Sequence, residues 1–179
     1  GEVNLRILKN YIIKEGKKPL ARILAYCLMP NHYHLLVEEL QEGGITKFMH
    51  KLGGGYTRYF NNKYQRSGSL FEGPFKAVLV ENEIYFQYLL VYINVVNPGQ
   101  LIEPELKEKG IIDFERLMKF VDEYLWSTHQ EYMGKRGSII IDKGLLGEMF
   151  STPESYRSFA EAVLKIKKFD EINHLTFEN

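Results

Sequence analysis

The sequence predicts an α+β fold in which one antiparallel sheet is covered by helices. Short apolar and aromatic runs alternate with longer segments that carry an apolar stripe at helical spacing. Their order is helix, strand, strand, helix, strand, helix, followed by a helical tail. The chain has 179 residues, 45% of them hydrophobic, which is enough for one packed core. We therefore expect a core at residues 1–100 and a helical extension at residues 101–179 that packs on it.

A β-hairpin is predicted after a first helix. Asn4–Lys14 carries the apolar stripe of an amphipathic helix. Arg22–Leu28 and His32–Glu38 are both rich in apolar and aromatic residues, and Met29-Pro30-Asn31 separates them. Because proline and asparagine favour turns, we expect two strands joined by a tight connection.

Further elements follow the hairpin. Gly44–Asn61 predicts a second helix, and Gly53–Gly55 within it predicts a kink or a break, since glycine costs about 1 kcal/mol relative to alanine in a helix. Phe75–Val80 predicts a third strand, and Glu83–Val95 predicts a strongly apolar third helix. In the tail, helices are predicted at Phe114–Tyr124, Gly144–Phe150 and Pro153–Ile166, the last capped by Ser151 or Thr152.

The element order is close to that of a ferredoxin-like sandwich, which normally opens with a strand. No strand is predicted before the first helix. We expect the first strand to be missing from this chain or to be supplied by another chain.

Composition argues against several classes of protein. Lys and Arg total 23, as do Asp and Glu, so the zero net charge argues against a purely electrostatic binder of nucleic acid. Cys27 is the single cysteine, which excludes an internal disulfide and a cysteine zinc cluster and fits a cytoplasmic setting. Apolar runs such as Ile84–Val96 are too short to cross a bilayer, so no membrane association is expected.

Two histidines are predicted to share one face of a strand. His32 and His34 are separated by one residue, a spacing that points both side chains to the same face. Two ring nitrogens can then bind one cation. The alternative is a pair of polar residues on the outer face of a half-buried strand.

The residues around this pair resemble a known family. Met29–Glu38 reads MPNHYHLLVE and resembles the HUH motif (His, bulky apolar residue, His) of single-tyrosine, IS200-like transposases, especially the REP-associated tyrosine transposase branch. The resemblance spans roughly Leu5 to Phe150. It continues through Tyr56–Asn61, Arg66–Gly73, Phe75–Ala77, Tyr92–Pro98 and Tyr124–Ser127.

The resemblance implies a nuclease and strand transferase that acts on single-stranded DNA. It places Tyr92 at the family's nucleophile position, with His32, His34 and a third polar ligand holding Mg²⁺ or Mn²⁺. A phenol, with a pKa of about 10, is a poor nucleophile at pH 7, and a divalent cation orients the phosphate and stabilises its developing charge. The covalent 5′-phosphotyrosine conserves the bond energy, so a 3′-OH can later attack it and join strands.

The sequence departs from the family pattern in three places, which are the missing first strand, Pro74 where the family commonly has arginine, and the spacing that sets the third metal ligand. The family places an asparagine four positions after the tyrosine and before a proline, whereas Asn97 stands five positions after Tyr92. Val96 occupies the fourth position and cannot bind a metal, which leaves Asn97 or Asn94, and we favour Asn97. A residue at i+5 lies beside the tyrosine only where the helix bulges. Tyr88, one turn earlier, is the alternative nucleophile if Tyr92 is buried.

Positive charge is concentrated between Thr46 and Ala77, where Glu72 is the single acidic residue. Aromatic residues are interleaved with the basic ones. Because cations neutralise phosphates and aromatic faces stack on unpaired bases, this segment suits single-stranded DNA. A solvated helix face is the alternative. The residues favoured as DNA contacts are Arg58, Lys63, Arg66 and Lys76.

The leading interpretation is a metal-dependent tyrosine transposase that cleaves and joins hairpin-bearing single-stranded DNA, in transposition or in processing of hairpin repeats. It would act as a monomer or a homodimer. The alternative is a domesticated or degraded relative that binds DNA hairpins without cutting them, which the inserted residue and the triple glycine suggest. A relaxase or replication initiator ranks last, because those proteins commonly carry longer, differently ordered motifs.

Overall fold

A computed structural model describes residues 18–166 of the chain. Strands β1 (Ala21–Leu28) and β2 (Tyr33–Glu39) pair as a two-stranded antiparallel sheet. The α+β class is confirmed. The helix predicted at Asn4–Lys14 lies outside the described residues, as does any strand before it. Within the described part, no helix has the length and apolar character needed to span a membrane.

Helices make up most of the remaining regular structure. In chain order they are α1 (Gly44–Tyr64), α2 (Glu83–Val91), a π-helical stretch called here the π-segment (Tyr92–Val96), α3 (Asn97–Gly99), α4 (Leu106–Lys109), α5 (Phe114–Glu123), α6 (His129–Tyr132), α7 (Gly144–Met149) and α8 (Pro153–Ile166). The described residues divide into two compact units. Residues 18–22 and 37–78 form the first unit, and residues 23–36 and 79–166 form the second.

In the first unit, α1 runs through Gly53–Gly55 without interruption, so of the predicted kink or break the break is wrong. The chain beyond α1 folds back onto it. A Cβ added at Gly53 would lie 3.7 Å from Cε2 of Phe71, and the Phe71 ring centroid lies 6.3 Å from that of Tyr56. Because tertiary packing supplies most of the stability of a helix in a protein, this aromatic cover outweighs the low helix propensity of the glycines.

The strand predicted at Phe75–Val80 is also wrong, since these residues adopt no regular structure. The side chains of Phe75, Val78 and Leu79 are 36%, 40% and 77% exposed. β-propensity measures how well side chains pack against neighbouring strands, and an apolar run without such neighbours does not form a ladder. The sheet of the described residues is consequently smaller than that of a complete ferredoxin-like sandwich.

In the second unit, β1 also pairs with the tail of the chain. Cys27 and Ser127 form an antiparallel bridge, and Ile23 and Ile141 form a parallel one. Cys27 itself is fully buried. These short pairings cover backbone groups of β1 that a lone hairpin would leave exposed.

The apolar helix predicted at Glu83–Val95 forms the centre of the second unit but is not α-helical throughout. Asn82 begins it, since its Oδ1 accepts hydrogen bonds from the backbone N–H groups of Ile84 and Tyr85. The helix is α-helical to Val91, and the whole of the π-segment that follows is buried. This buried segment carries the candidate tyrosine.

A buried polar network ties the tail to the π-segment. In it, His129 Nε2 lies 2.9 Å from Oδ1 of Asp122, and His129 Nδ1 lies 2.9 Å from the Tyr156 hydroxyl. The neighbouring Thr128 hydroxyl donates to Oδ1 of Asn94 at 2.6 Å. Helices α5, α6 and α8 and the π-segment are therefore joined through side chains as well as through apolar packing.

Candidate active site

The two histidines of the predicted pair lie together at the start of β2. Their ring centroids are 5.0 Å apart and their planes are almost perpendicular. His32 is exposed and His34 is half-buried. Nδ1 of His32 lies 2.7 Å from Oδ1 of Asn31. A histidine whose Nδ1–H donates to such an oxygen carries its lone pair on Nε2, the arrangement found in most metal-binding histidines.

Both imidazoles favour the neutral form. Burial lowers the pKa of His34 to about 4, with a smaller contribution from the positive charge of Lys107. Partial desolvation of the exposed His32 ring also lowers its pKa, assisted by the charges of His34 and Lys107. A metal binds the deprotonated imidazole, so neither ring has to lose a proton at neutral pH before it can act as a ligand.

Tyr92 lies against this pair. Its ring centroid is 6.1 Å from that of His34, in an edge-to-face arrangement, and the residue is 1% exposed. From the sequence, Tyr88 is the alternative nucleophile if Tyr92 is buried, and Tyr92 is buried. The Tyr88 ring, however, stacks on Phe159 of α8 at 5.7 Å. The structure thus brings Tyr92 to the histidines and places Tyr88 in the packing between α2 and α8.

Asn97 is joined to Tyr92 by the π-segment. The backbone N–H of Asn97 donates to the carbonyl oxygen of Tyr92, a bond that spans five residues instead of the four of an α-helix. The helix therefore accommodates the extra residue as a π-bulge. This bulge is required for a residue at i+5, here Asn97, to lie beside the tyrosine. Such π-bulges occur frequently at functional sites.

The two asparagines that the sequence leaves open as ligands differ in their partners. Oδ1 of Asn94 accepts the short bond from Thr128, so this side chain is committed to the buried network. Asn97 is fully buried, and its Oδ1 accepts a long bond of 3.5 Å from Gln100. Among residues 18–166, Nδ2 of both asparagines has no hydrogen-bond partner, so the two differ at Oδ1, the amide atom that can bind a cation. The weaker bond at Oδ1 of Asn97 leaves this oxygen more available as a ligand than that of Asn94.

Sequence reasoning missed a lysine that lies at the same place. Lys107 of α4 is half-buried, and its Nζ lies 4.6 Å from the centroid of the Tyr92 ring. Burial lowers the pKa of Lys107 to about 8. A local pattern could not reveal this contact, because Lys107 follows Tyr92 by 15 positions within a charged segment that is typical of a solvated surface.

A family model for IS200-like transposases matches residues 1–95, more than half of the chain. The chain belongs to this transposase family. The match contains His32, His34 and Tyr92 and ends two residues before Asn97. No curated protein and no solved structure matches the chain. Membership in the family points to a DNA-processing enzyme that acts in DNA transposition.

The residue types at the site are compatible with a divalent metal ion, which the resemblance to single-tyrosine transposases leads us to expect. The described part of the chain contains no cluster of three His, Cys, Asp or Glu side chains that could hold an ion. The imidazoles of His32 and His34 are the two nitrogen ligands that lie together here, and the amide oxygen of Asn97 stays the predicted third ligand. Such a mixed nitrogen and oxygen set suits Mn²⁺ better than Mg²⁺, which favours oxygen ligands.

The predicted DNA contacts of this transposase lie in the first unit and are exposed. Nζ of Lys63 lies 5.7 Å and 5.3 Å from the ring centroids of Tyr59 and Tyr64, and side-chain hydrogen bonds, first with Tyr59 and then with Tyr64, raise the pKa of Lys63. The Arg66 guanidinium lies 5.7 Å from the ring centroid of Phe60. Cations held over aromatic rings in this way offer both phosphate neutralisation and stacking surfaces.

The other two predicted contacts lack this arrangement. Arg58 is an exposed residue of α1, and Lys76 is exposed in the irregular segment that follows. Lys63 and Arg66 are consequently the two of the four that lie close to aromatic rings, and DNA contact by all four residues stays a prediction.

Proposed function

We propose that this transposase cleaves and rejoins single-stranded DNA through a covalent 5′-phosphotyrosine formed at Tyr92. The observation that carries the proposal is the contact of the Tyr92 ring with His34 beside His32. A phenol can serve as the nucleophile and two neutral imidazoles can serve as metal ligands, so one site holds groups that metal-assisted phosphodiester cleavage can use. The REP-associated branch, with hairpin-bearing substrates, is part of the same proposal.

In this mechanism His32, His34 and the amide oxygen of Asn97 would hold Mn²⁺ or Mg²⁺. When bound, the cation would supply Lewis-acid stabilisation of charge on the phosphoryl oxygens. Tyr92 loses its phenolic proton to water, and its oxygen forms a bond to phosphorus as the bond from phosphorus to the 3′ oxygen breaks. The 3′ oxygen takes up a proton and leaves as a 3′-OH. Attack by another 3′-OH reverses these events and joins two strands.

The exposed cations and rings at the C-terminal end of α1 and just beyond it bind the substrate in this proposal. Lys63 and Arg66 neutralise phosphates, and Tyr59 and Tyr64, which are 56% and 55% exposed, stack on unpaired bases. Stacking on an aromatic side chain contributes about 1–3 kcal/mol per base. The affinity for single-stranded hairpins therefore does not depend on the residues that carry out cleavage.

A second candidate function is binding of DNA hairpins without cleavage. The observation that favours it is the burial of Tyr92, whose 1% exposure requires surrounding side chains to move before a phosphate can reach the hydroxyl. If that movement does not occur, the exposed face of α1 still binds DNA. The two functions therefore differ in whether a covalent adduct forms.

The experiment uses the full chain, Mn²⁺ and a 3′-labelled single-stranded library that has a constant hairpin between randomised flanks. A labelled species that survives denaturing electrophoresis supports the transposase when Tyr92→Phe abolishes it and Tyr88→Phe, the matched control, preserves it. Loss of the adduct in Tyr88→Phe, with the adduct retained in Tyr92→Phe, would identify Tyr88 as the nucleophile. Hairpin binding with no adduct from the wild type would favour the non-cutting binder.

A further inference from the structure

The half-buried lysine beside the candidate nucleophile has no role in the reaction described so far. Nζ of Lys107 lies 4.6 Å from the centroid of the Tyr92 ring, a distance at which an ammonium over an aromatic face is attracted by the ring. A lysine that extended into bulk solvent would have no such effect on the ring. The ammonium group of Lys107 lies instead over the ring of the residue that is proposed to attack the phosphate.

The position of Lys107 is held by its neighbour in α4. Leu106 is fully buried, and a Cβ added at Gly99 would lie 2.9 Å from its Cδ2. Gly99 belongs to α3, which continues directly from the π-segment. The short helix that carries the lysine is therefore packed closely against the end of the helix that carries the tyrosine, with little room for either to shift.

We propose that Lys107 is a positioning residue that orients the Tyr92 ring and stabilises its phenolate during attack on the phosphate. The inference rests on the proposed function. Deprotonation of the phenol spreads negative charge into the ring, so a cation over that ring interacts more strongly with the phenolate than with the phenol. Only an interaction that strengthens in this way accelerates the chemical step.

Charge rather than size is the property on which this role depends. Methionine approximates the length and apolar stem of lysine without its charge, whereas arginine retains the charge and stacks well on aromatic rings. Lys109 provides a matched control on the same helix. It is exposed, and its Nζ pairs with Oε2 of Glu105 at 2.7 Å instead of lying over the tyrosine.

The test compares Lys107→Met, Lys107→Arg and Lys109→Met in the full chain. Single-turnover rates of adduct formation are measured with Mn²⁺ and a substrate selected from the labelled hairpin library, and the dissociation constant of the same DNA is measured without metal. Lys107→Met is expected to slow adduct formation about 10- to 100-fold. Its dissociation constant should stay within about 2-fold of wild type, Lys107→Arg should restore most of the rate, and Lys109→Met should match wild type.

Equal rates for Lys107→Met and wild type would overturn the inference and leave the proposed function standing. Absence of any adduct from the wild type would overturn the proposed function and the inference together. If Lys107→Met unfolds, Lys107→Gln and Lys107→Arg decide the question, since both keep a polar side chain and only one keeps the charge. A faster rate for arginine than for glutamine supports the inference, and equal rates contradict it.

Discussion

The backbone N–H of Asn97 donates a hydrogen bond to the carbonyl oxygen of Tyr92, five residues earlier. Around this bond Val95 and Val96 remain fully buried. The helix thus contains one residue more than a regular α-helix would need, and the surplus is confined to the π-segment. The candidate nucleophile and the candidate third ligand are linked by the same bulge.

Deletion of Val96 should convert this bulge into a regular turn. The tyrosine and the asparagine would then be four positions apart, as in the family pattern, so the variant should fold and form the adduct at a rate within about tenfold of wild type. Circular dichroism and the adduct assay check the two parts of the prediction. Loss of folded structure would show that the packing downstream depends on the extra residue.

Removal of either imidazole should abolish cleavage without abolishing DNA binding. His32→Ala and His34→Ala each remove one imidazole from the proposed metal site, whereas the proposed DNA contacts Lys63 and Arg66 lie at the C-terminal end of α1 and just beyond it. His50→Ala, which alters an exposed histidine of α1, is the control. We expect no adduct and weakened Mn²⁺ binding by titration calorimetry for the first two, with hairpin affinity within about threefold of wild type. Cutting at the wild-type rate by either variant would refute the metal role.

A methyl group at Gly99 should destabilise the second unit. Its Cβ would lie 2.7 Å from Cδ1 of Leu117 and 2.9 Å from Cδ2 of Leu106, both fully buried. Gly99→Ala is therefore expected to lower the free energy of unfolding by about 1–3 kcal/mol, the usual effect of overpacking. Gly54→Ala, where nothing lies within 4 Å, should instead raise it by about 0.5–1 kcal/mol. Urea denaturation of both variants measures the contrast, and a stabilising Gly99→Ala would contradict the packing.

The buried network should make stability depend on acid pH through Asp122. A hydrogen bond from His129, followed by one from Arg157, holds the pKa of Asp122 well below its usual range. A carboxylate with a depressed pKa stabilises the fold above its unfolded pKa, about 3.9, and loses that contribution as pH falls further. Asp122→Asn should cost about 1–3 kcal/mol at pH 7 and progressively less below about pH 4.

Urea unfolding at pH 7 and pH 3 tests this dependence. The control is Glu105→Gln, which breaks an exposed pair with Lys109 and should change the free energy of unfolding by less than about 0.5 kcal/mol. A difference between wild type and Asp122→Asn that stays constant over this pH range would show that the carboxylate charge contributes nothing.

The elements that the sequence predicts well are those with a local signal. The hairpin follows from two apolar runs around Pro30, and α8 agrees with its predicted bounds, Pro153–Ile166, with Thr152 Oγ1 accepting from the Ser155 N–H. Phe75–Val80 carries an equally apolar signal but finds no neighbouring strand. Apolar composition predicts a surface that favours burial, and tertiary packing decides whether burial occurs.

The candidate site divides in the same way. The proximity of His32 and His34 follows from the two-residue repeat of a strand, which is local. The bulge between Tyr92 and Asn97 does not, because 3.6-residue periodicity describes only regular helices. The contact of Lys107 with Tyr92 joins two separate helical segments and depends on how they pack. No fixed spacing along the sequence predicts such a contact.

The interior location of Cys27 gives the chain a practical property. The thiol is fully buried and burial raises its pKa to about 12, so almost none of it is thiolate at neutral pH. It is also the single cysteine of the chain. A new cysteine introduced at an exposed position can therefore receive a fluorophore or spin label selectively, with no native residue replaced, and report directly on whether the helix of Tyr92 opens when DNA arrives.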